Sequence, residues 1–212
     1  MSNEIITAED RTVNYANAIY NGSDFEKAAK MASFLSKATF IPRQFQNKPS
    51  DCLIALQMAA SLRVTPFEVM KGLYVIDGKP SFTAQFALAL VNRFGPFDSP
   101  IKCRSTGSGD ELCVTAYAKF VGSEEEFAAT ATMKGAHAAG WTKNRNYEAI
   151  PEQMLFYKAA LMLIRRYCPH ILMGMLTEDE VKSTLEAPKK SAVDTINDLI
   201  IGSEHEDEVS ES

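Results

Sequence analysis

Residues 151–169 read PEQMLFYKAALMLIRRYCP, and this stretch predicts the helix around which the fold is built. Proline is favoured at the first position of a helix, so Pro151 marks the beginning, and Pro169 ends the pattern after Tyr167. Apolar side chains cover most faces of this helix: Met154, Leu155, Phe156, Ala159, Ala160, Leu161, Met162, Leu163 and Ile164. A helix that is apolar almost all round normally packs on most sides. We therefore expect residues 151–167 to form a buried helix.

The segments before this helix predict a small antiparallel sheet of hairpins backed by helices, which is an α+β fold. Asp77-Gly78 separates two extended runs, a strong hairpin signal, and Pro80 favours a sheet edge for the second arm because it cannot donate a ladder hydrogen bond. The predicted strands lie at 72–76, 79–82, 100–104, 112–120 and 126–133. The predicted helices before residue 151 lie at 24–36, 51–63, 66–71 and 83–94.

The length and composition are those of one globular domain with appendages. The chain has 212 residues, of which 46% are hydrophobic and 23% charged, and this excludes a wholly disordered, collagen-like or coiled-coil protein. We interpret residues 1–36 as an N-terminal helical segment and 37–185 as the core. Residues 186–212 are interpreted as a linker, a short amphipathic segment at 192–201 and a disordered acidic tail.

Targeting and metal-binding signals are missing from the sequence. Its apolar runs fall far short of the roughly 20 residues that span a bilayer, and residues 1–10, MSNEIITAED, lack the pattern of a secretory signal. We therefore expect a cytoplasmic protein without membrane contact. The four cysteines (Cys52, Cys103, Cys113 and Cys168) form no C-x-x-C pair, and the three histidines are scattered, so we expect neither a metal nor a cofactor.

The charge is distributed unevenly along the chain. Residues 31–170 hold sixteen basic and eleven acidic residues, whereas 171–212 hold three basic and eleven acidic ones. A basic body with an acidic appendage indicates a polyanion partner.

Two cations interrupt the apolar pattern of the long helix. Lys158 and Arg165 are seven residues apart, which places them within about 20° of each other and roughly 10 Å apart along the axis. Buried stems with charged ends would line a groove for backbone phosphates. The alternatives are that both cations extend to bulk water or pair with a carboxylate elsewhere in the fold.

The loop before this helix carries cations between aromatic residues. Lys143 and Arg145 lie between Trp141 and Tyr147, a pattern that suits single-stranded nucleic acid, whose phosphates take the charges and whose bases stack on rings. The alternative is that the two aromatic residues anchor the loop to the core. Lys134 adds to the basic character of this region.

Signatures of an enzyme are weak. The sequence contains neither a G-x-x-x-x-G-K-[ST] phosphate loop nor a G-x-S-x-G nucleophile motif. Asp77 or the glutamates at 124–126 could serve a metal-dependent nuclease, but both positions suit plain turns. We therefore expect no catalytic residues.

An ordered set of segments resembles one family of DNA-binding proteins. The set consists of IALQMAASLRVTPFEVMKGLYVIDGKPSFTAQFALALV (54–91), MKGAHAAGWTK (133–143), P-x-x-M-L-x-x-K (151–158) and ILMGMLTEDEV (171–181). Together with the aromatic loop they resemble the RecT and Red-beta family of phage single-strand annealing proteins. The resemblance extends over roughly residues 40–182.

The resemblance implies a function, partners and site residues. It implies ATP-independent binding and annealing of single-stranded DNA during phage recombination, in a basic groove of a ring or helical filament. A complementary DNA strand, a phage exonuclease and a host single-strand-binding protein are the implied partners, in the cytoplasm of a bacterial host. Within the family's long-helix motif, Lys158 and Arg165 fall on DNA-contacting cations.

Further positions match this family less closely. The aromatic residue before the helix matches Tyr147, and Lys71 and Lys79 correspond approximately to basic positions around the family's hairpin, although ordinary surface lysines would look the same. One departure is Glu152, where some relatives carry a basic residue.

Three alternatives remain open at this stage. The protein could bind single strands passively without annealing them. It could be a metal-dependent nuclease. It could also be a scaffold without a DNA partner, in which the basic surface pairs with the acidic tail.

Overall fold

The computed structural model describes residues 22–76, 78–178 and 180–181, and it shows an α+β fold. Within these residues there are seven α-helices and two sheets of three strands each. The helices are α1 (Gly22–Ser36), α2 (Pro49–Leu62), α3 (Pro66–Gly72), α4 (Ala84–Phe94), α5 (Met133–Ala138), α6 (Asn146–Ala149) and α7 (Pro151–Tyr167). The strands are β1 (Leu73–Ile76), β2 (Lys79–Phe82), β3 (Lys102–Thr106), β4 (Cys113–Lys119), β5 (Glu126–Thr132) and β6 (Leu176–Thr177).

The α+β class and the main elements predicted from sequence are confirmed. The predicted helix at 151–167 has the bounds of α7, and the three strands predicted between 100 and 133 form one antiparallel sheet in the order β3-β4-β5. The amphipathic segment at 192–201 and the acidic tail lie outside the described residues. The domain boundaries and the oligomeric state stay predictions.

The β3-β4-β5 sheet carries α7 on one face. Inward-pointing residues of β4 are small and buried: Val114 and Ala116 are fully covered, and Ala116 pairs with Ala129 of β5. Small side chains on the sheet allow the helix to approach closely, and α7 packs against both β4 and β5. Leu163 and Ile164 of α7 are fully buried in the resulting core.

The prediction of one antiparallel sheet of hairpins is wrong in its details, because β1, β2 and β6 form a second, separate sheet in which β6 runs parallel to β2. Pro80 predicts an edge position for its strand, but β2 lies between β1 and β6. The proline is tolerated because β6 is parallel to β2 and pairs only with Ser81 and Phe82, so no ladder bond from position 80 is needed on that side. Gly78, with φ +73°, takes the left-handed conformation that the β1–β2 turn requires.

The first three helices pack on the same core. Ala28 and Ala32 of α1 are buried where this helix contacts α2.

A capping box begins α3, in which Glu68 N–H donates to the Thr65 hydroxyl while the Thr65 N–H donates to the Glu68 carboxylate.

Within the described part of the chain, no single helix has the length and apolar character needed to cross a membrane. Taken together, α2 and α3 meet the length and composition, but they are bent by 108° at their junction.

Candidate nucleic-acid interface

Three basic residues of α7 line one cleft. Lys158, Arg165 and Arg166 surround an open space of about 480 Å³, together with Leu161, Met162 and Glu180. The shared cleft of Lys158 and Arg165 agrees with their seven-residue spacing. Arg166 lies one residue further along and is exposed at the same cleft.

Lys158 is a buried lysine covered by an aromatic ring. Only 9% of its surface is exposed, and its Nζ lies 4.2 Å from the centre of the Trp141 ring. Trp141 begins a 3₁₀ turn, Trp141–Lys143, directly after Gly140, whose φ of +71° turns the chain at this point. A cation over a ring within about 6 Å of its centre is attracted by the negative face of the π system. Lys158 therefore does not extend into bulk water, which was one of the alternatives for this residue.

Arg165 is held by a carboxylate from the end of the described chain. Its Nε–H donates to Oε1 of Glu180 at 3.1 Å and one Nη donates to Oε2 at 2.7 Å. The same Nη also donates to the carbonyl of Met175 at 2.6 Å. Pairing with a carboxylate elsewhere in the fold was the alternative for Arg165, and the structure shows that pairing.

Glu180 is fixed on its other side by Thr177. The backbone N–H and the hydroxyl of Thr177 donate to Oε2 of Glu180 at 2.6 and 2.8 Å. Burial raises the pKa of Glu180, but the hydrogen bonds from Arg165 and Thr177 and the positive charge of Arg165 outweigh burial, so the pKa lies below its ordinary value of 4.5. Glu180 is therefore ionised at neutral pH and neutralises Arg165. The sequence held a signal for this contact, because Thr177 and Glu180 have the spacing of a capping box.

The loop before α7 separates into exposed cations and a buried ring. Lys143 and Arg145 are exposed, whereas Tyr147 of α6 packs into the core and is only 4% exposed. Tyr147 therefore has the anchoring position that was the alternative to base stacking. Trp141 is partly exposed, and its ring contacts Lys158, so the loop that carries Lys143 and Arg145 meets α7 at this residue.

The other predicted cations lie apart from α7 or pair with carboxylates. Lys134 on α5 forms an exposed ion pair with Glu111 at 2.6 Å. Lys71 lies 5.7 Å from the ring of Phe67, and Lys79 is exposed at the beginning of β2. Neither lines the α7 cleft.

Acidic residues that the sequence singled out also have local roles. Glu152, at the position that is basic in some relatives, accepts a hydrogen bond of 2.6 Å from the Ser105 hydroxyl. Glu124 pairs with Lys119 at 2.9 Å. Among the residues that the structure describes, no three His, Cys, Asp or Glu side chains are grouped closely enough to hold a metal ion. Asp77 lies outside the described residues.

Comparisons with known proteins give no relative for this chain. No family model, no curated protein and no solved structure matches it.

Proposed function

We propose that the protein binds single-stranded DNA through the cleft on α7 and anneals complementary strands without ATP. The observation that supports this proposal is the convergence of Lys158, Arg165 and Arg166 on one cleft, with the exposed Lys143 and Arg145 in the loop beside it. The annealing step and the phage context of the proposal come from the resemblance to the RecT and Red-beta family.

The proposed chemistry is positional. Lysine and arginine neutralise backbone phosphates without selecting a base sequence, and the resulting affinity falls steeply with salt. Bases that stay accessible then pair with a second strand, so Watson–Crick pairing supplies all the specificity. No covalent bond changes during this process.

Assembly of several copies belongs to the proposal. The α7 cations extend over roughly 10 Å of helix, which spans only a few nucleotides. A ring or helical filament of this chain would extend the basic track, and a longer track would hold enough of a strand for pairing to be tested.

The proposal is tested by annealing two complementary labelled oligonucleotides without ATP. Lys158→Met removes the charge of a buried side chain while keeping most of its apolar stem, and Arg166→Gln removes an exposed charge. We expect the double variant to anneal far more slowly than the wild type. Its affinity for DNA should also depend less steeply on salt: the slope of log K against log salt should be smaller by roughly 0.7 for each phosphate contact removed.

A matched control is Lys37→Gln, which removes one exposed charge directly after α1, a helix that packs on α2. This variant should anneal like the wild type. Binding without faster annealing by the wild type would identify a passive single-strand binder, and loss of labelled strand that requires a divalent metal would identify a nuclease. No binding at low salt would overturn the DNA proposal.

A further inference from the structure

Arg165 uses Nε and one Nη in its hydrogen bonds to Glu180 and Met175. A guanidinium carries five N–H donors. Three of the contacts described above use Nε and one Nη, toward the carboxylate of Glu180 and the carbonyl of Met175. The ion pair is only partly covered, since both side chains are 25% exposed. Arg165 therefore lies at the edge of the cleft with its positive charge already compensated.

Glu180 does not depend on Arg165 alone. If Arg165 turned away, Oε2 of Glu180 would still accept the two hydrogen bonds from Thr177. Thr177 and Val181 on either side are each only 1% exposed, so the segment has its own anchors in the core. The arginine can thus leave the carboxylate by rotation of its side chain, because Oε2 keeps both Thr177 donors and the partly exposed carboxylate is also open to water.

We propose that Glu180, held by Thr177, acts as an autoinhibitory latch, in which its carboxylate occupies the place of a DNA phosphate at Arg165. A backbone phosphate entering the cleft exchanges with the carboxylate, since arginine binds both anions in the same forked geometry. The latch rests on the proposed function, because it requires that the cleft binds DNA. In this proposal, Arg165 contacts DNA only after Glu180 has been displaced, whereas Arg166 is exposed while Glu180 is still in place.

The charge of the following chain agrees with this arrangement. From Thr177 to the end, the sequence holds eleven acidic and three basic residues, so the latch begins the acidic part of the protein. A negative segment joined to the edge of a basic cleft competes with any polyanion that enters it.

The test measures binding of a fluorescent oligo(dT) to wild-type protein and to Glu180→Gln, which keeps hydrogen-bonding groups but removes the charge. We expect Glu180→Gln to bind roughly two- to tenfold more tightly at low salt, the range set by the modest strength of a partly exposed ion pair. The slope of log K against log salt should change by less than the roughly 0.7 of one phosphate contact, because Arg165 contacts a phosphate in both proteins once the carboxylate has been exchanged.

The matched control is Glu148→Gln, which removes the same charge from an exposed position on α6, near the loop cations. An equal gain in affinity for both variants would overturn the latch, because general electrostatics would then explain it. Weaker binding by a folded Glu180→Gln would also overturn it and would make Glu180 a positioning residue for Arg165. Failure of every variant to bind at low salt would instead refute the proposed function.

The wild-type protein provides a second measurement, which does not depend on the variant folding. The NMR signal of Arg165 Nε–H, assigned by its loss in Arg165→Lys, should shift when oligo(dT) is added, because its acceptor changes from carboxylate to phosphate. A signal that stays in place while DNA binds would overturn the latch.

Discussion

The contact between Trp141 and Lys158 predicts a measurable coupling energy. We consider Trp141→Leu, Lys158→Met and the double variant, because both replacements are apolar and keep much of the original volume. The ammonium lies 4.2 Å from the ring centre and the lysine is 9% exposed. Cation–π pairs contribute about 0.5–1 kcal/mol at exposed sites and about 2 kcal/mol when water is excluded. Burial places this pair toward the upper value, so we expect a coupling of about 1–2 kcal/mol.

The assay is urea unfolding of the four proteins, followed by far-UV circular dichroism. Fluorescence cannot be used for all of them, because Trp141 is the only tryptophan in the sequence. The coupling is the amount by which the double variant's loss of stability differs from the sum of the two single losses. Independent sites add within about 0.3–0.5 kcal/mol. A coupling below that range would contradict the prediction and show that the ring does not stabilise the ammonium.

Three further predictions concern stability and reactivity. The pKa of Glu180 lies below 4.5, so its contribution to stability is complete above pH 4.5 and is lost as the pH falls through the folded-state pKa; the stability difference between wild type and Glu180→Gln in urea unfolding should shrink accordingly. Gly72→Ala should cost about 1–3 kcal/mol in thermal or urea unfolding, because the added Cβ would lie 2.7 Å from the Cβ of Phe86, and an unchanged stability would contradict this packing. Cys103 is exposed and should react quickly with a maleimide, whereas Cys168 is buried, with a pKa raised to about 11 by burial, and should react only after unfolding, as mass spectrometry of the labelled protein would show.

The elements that sequence predicts well are those whose signals are local. The bounds of α7 follow from two prolines and an uninterrupted apolar pattern between them. The Asp-Gly pair at 77–78 predicts the hairpin turn, because glycine readily takes the left-handed conformation that such a turn needs. The observed φ of +73° at Gly78 agrees with this. Both signals lie within a few residues of the element that they define, so no knowledge of the rest of the fold is needed.

The elements that sequence misses depend on distant partners. The strand β6 has only two residues, and it forms because Ser81 and Phe82, almost a hundred positions earlier, offer a free edge. No alternation pattern can be recognised over two residues. The same distant pairing makes β2 the central strand of its sheet despite Pro80.

The charge of the candidate site also depends on residues that lie outside the helix pattern. The spacing of Lys158 and Arg165 correctly places both on one cleft, because helix geometry is local. Their partners are not local: Trp141 comes from the preceding loop, and Glu180 comes from beyond the end of α7. Sequence can therefore count the cations on a helix face, but it cannot tell how much of their charge is already compensated.

That compensation bears on how an annealing protein would have to work. A strand held by many uncompensated cations dissociates slowly, and a strand that cannot shift cannot test another register against its complement. In the latched state, Arg165 and Glu180 together contribute no net charge to the cleft, and the charge of Lys158 is largely buried beneath a ring. Arg166 is exposed at the same cleft and offers its charge to a strand on entry. Under the proposed function, first contact is weak enough to allow shifting, and the exchange of Glu180 for a phosphate strengthens the hold once a strand is seated.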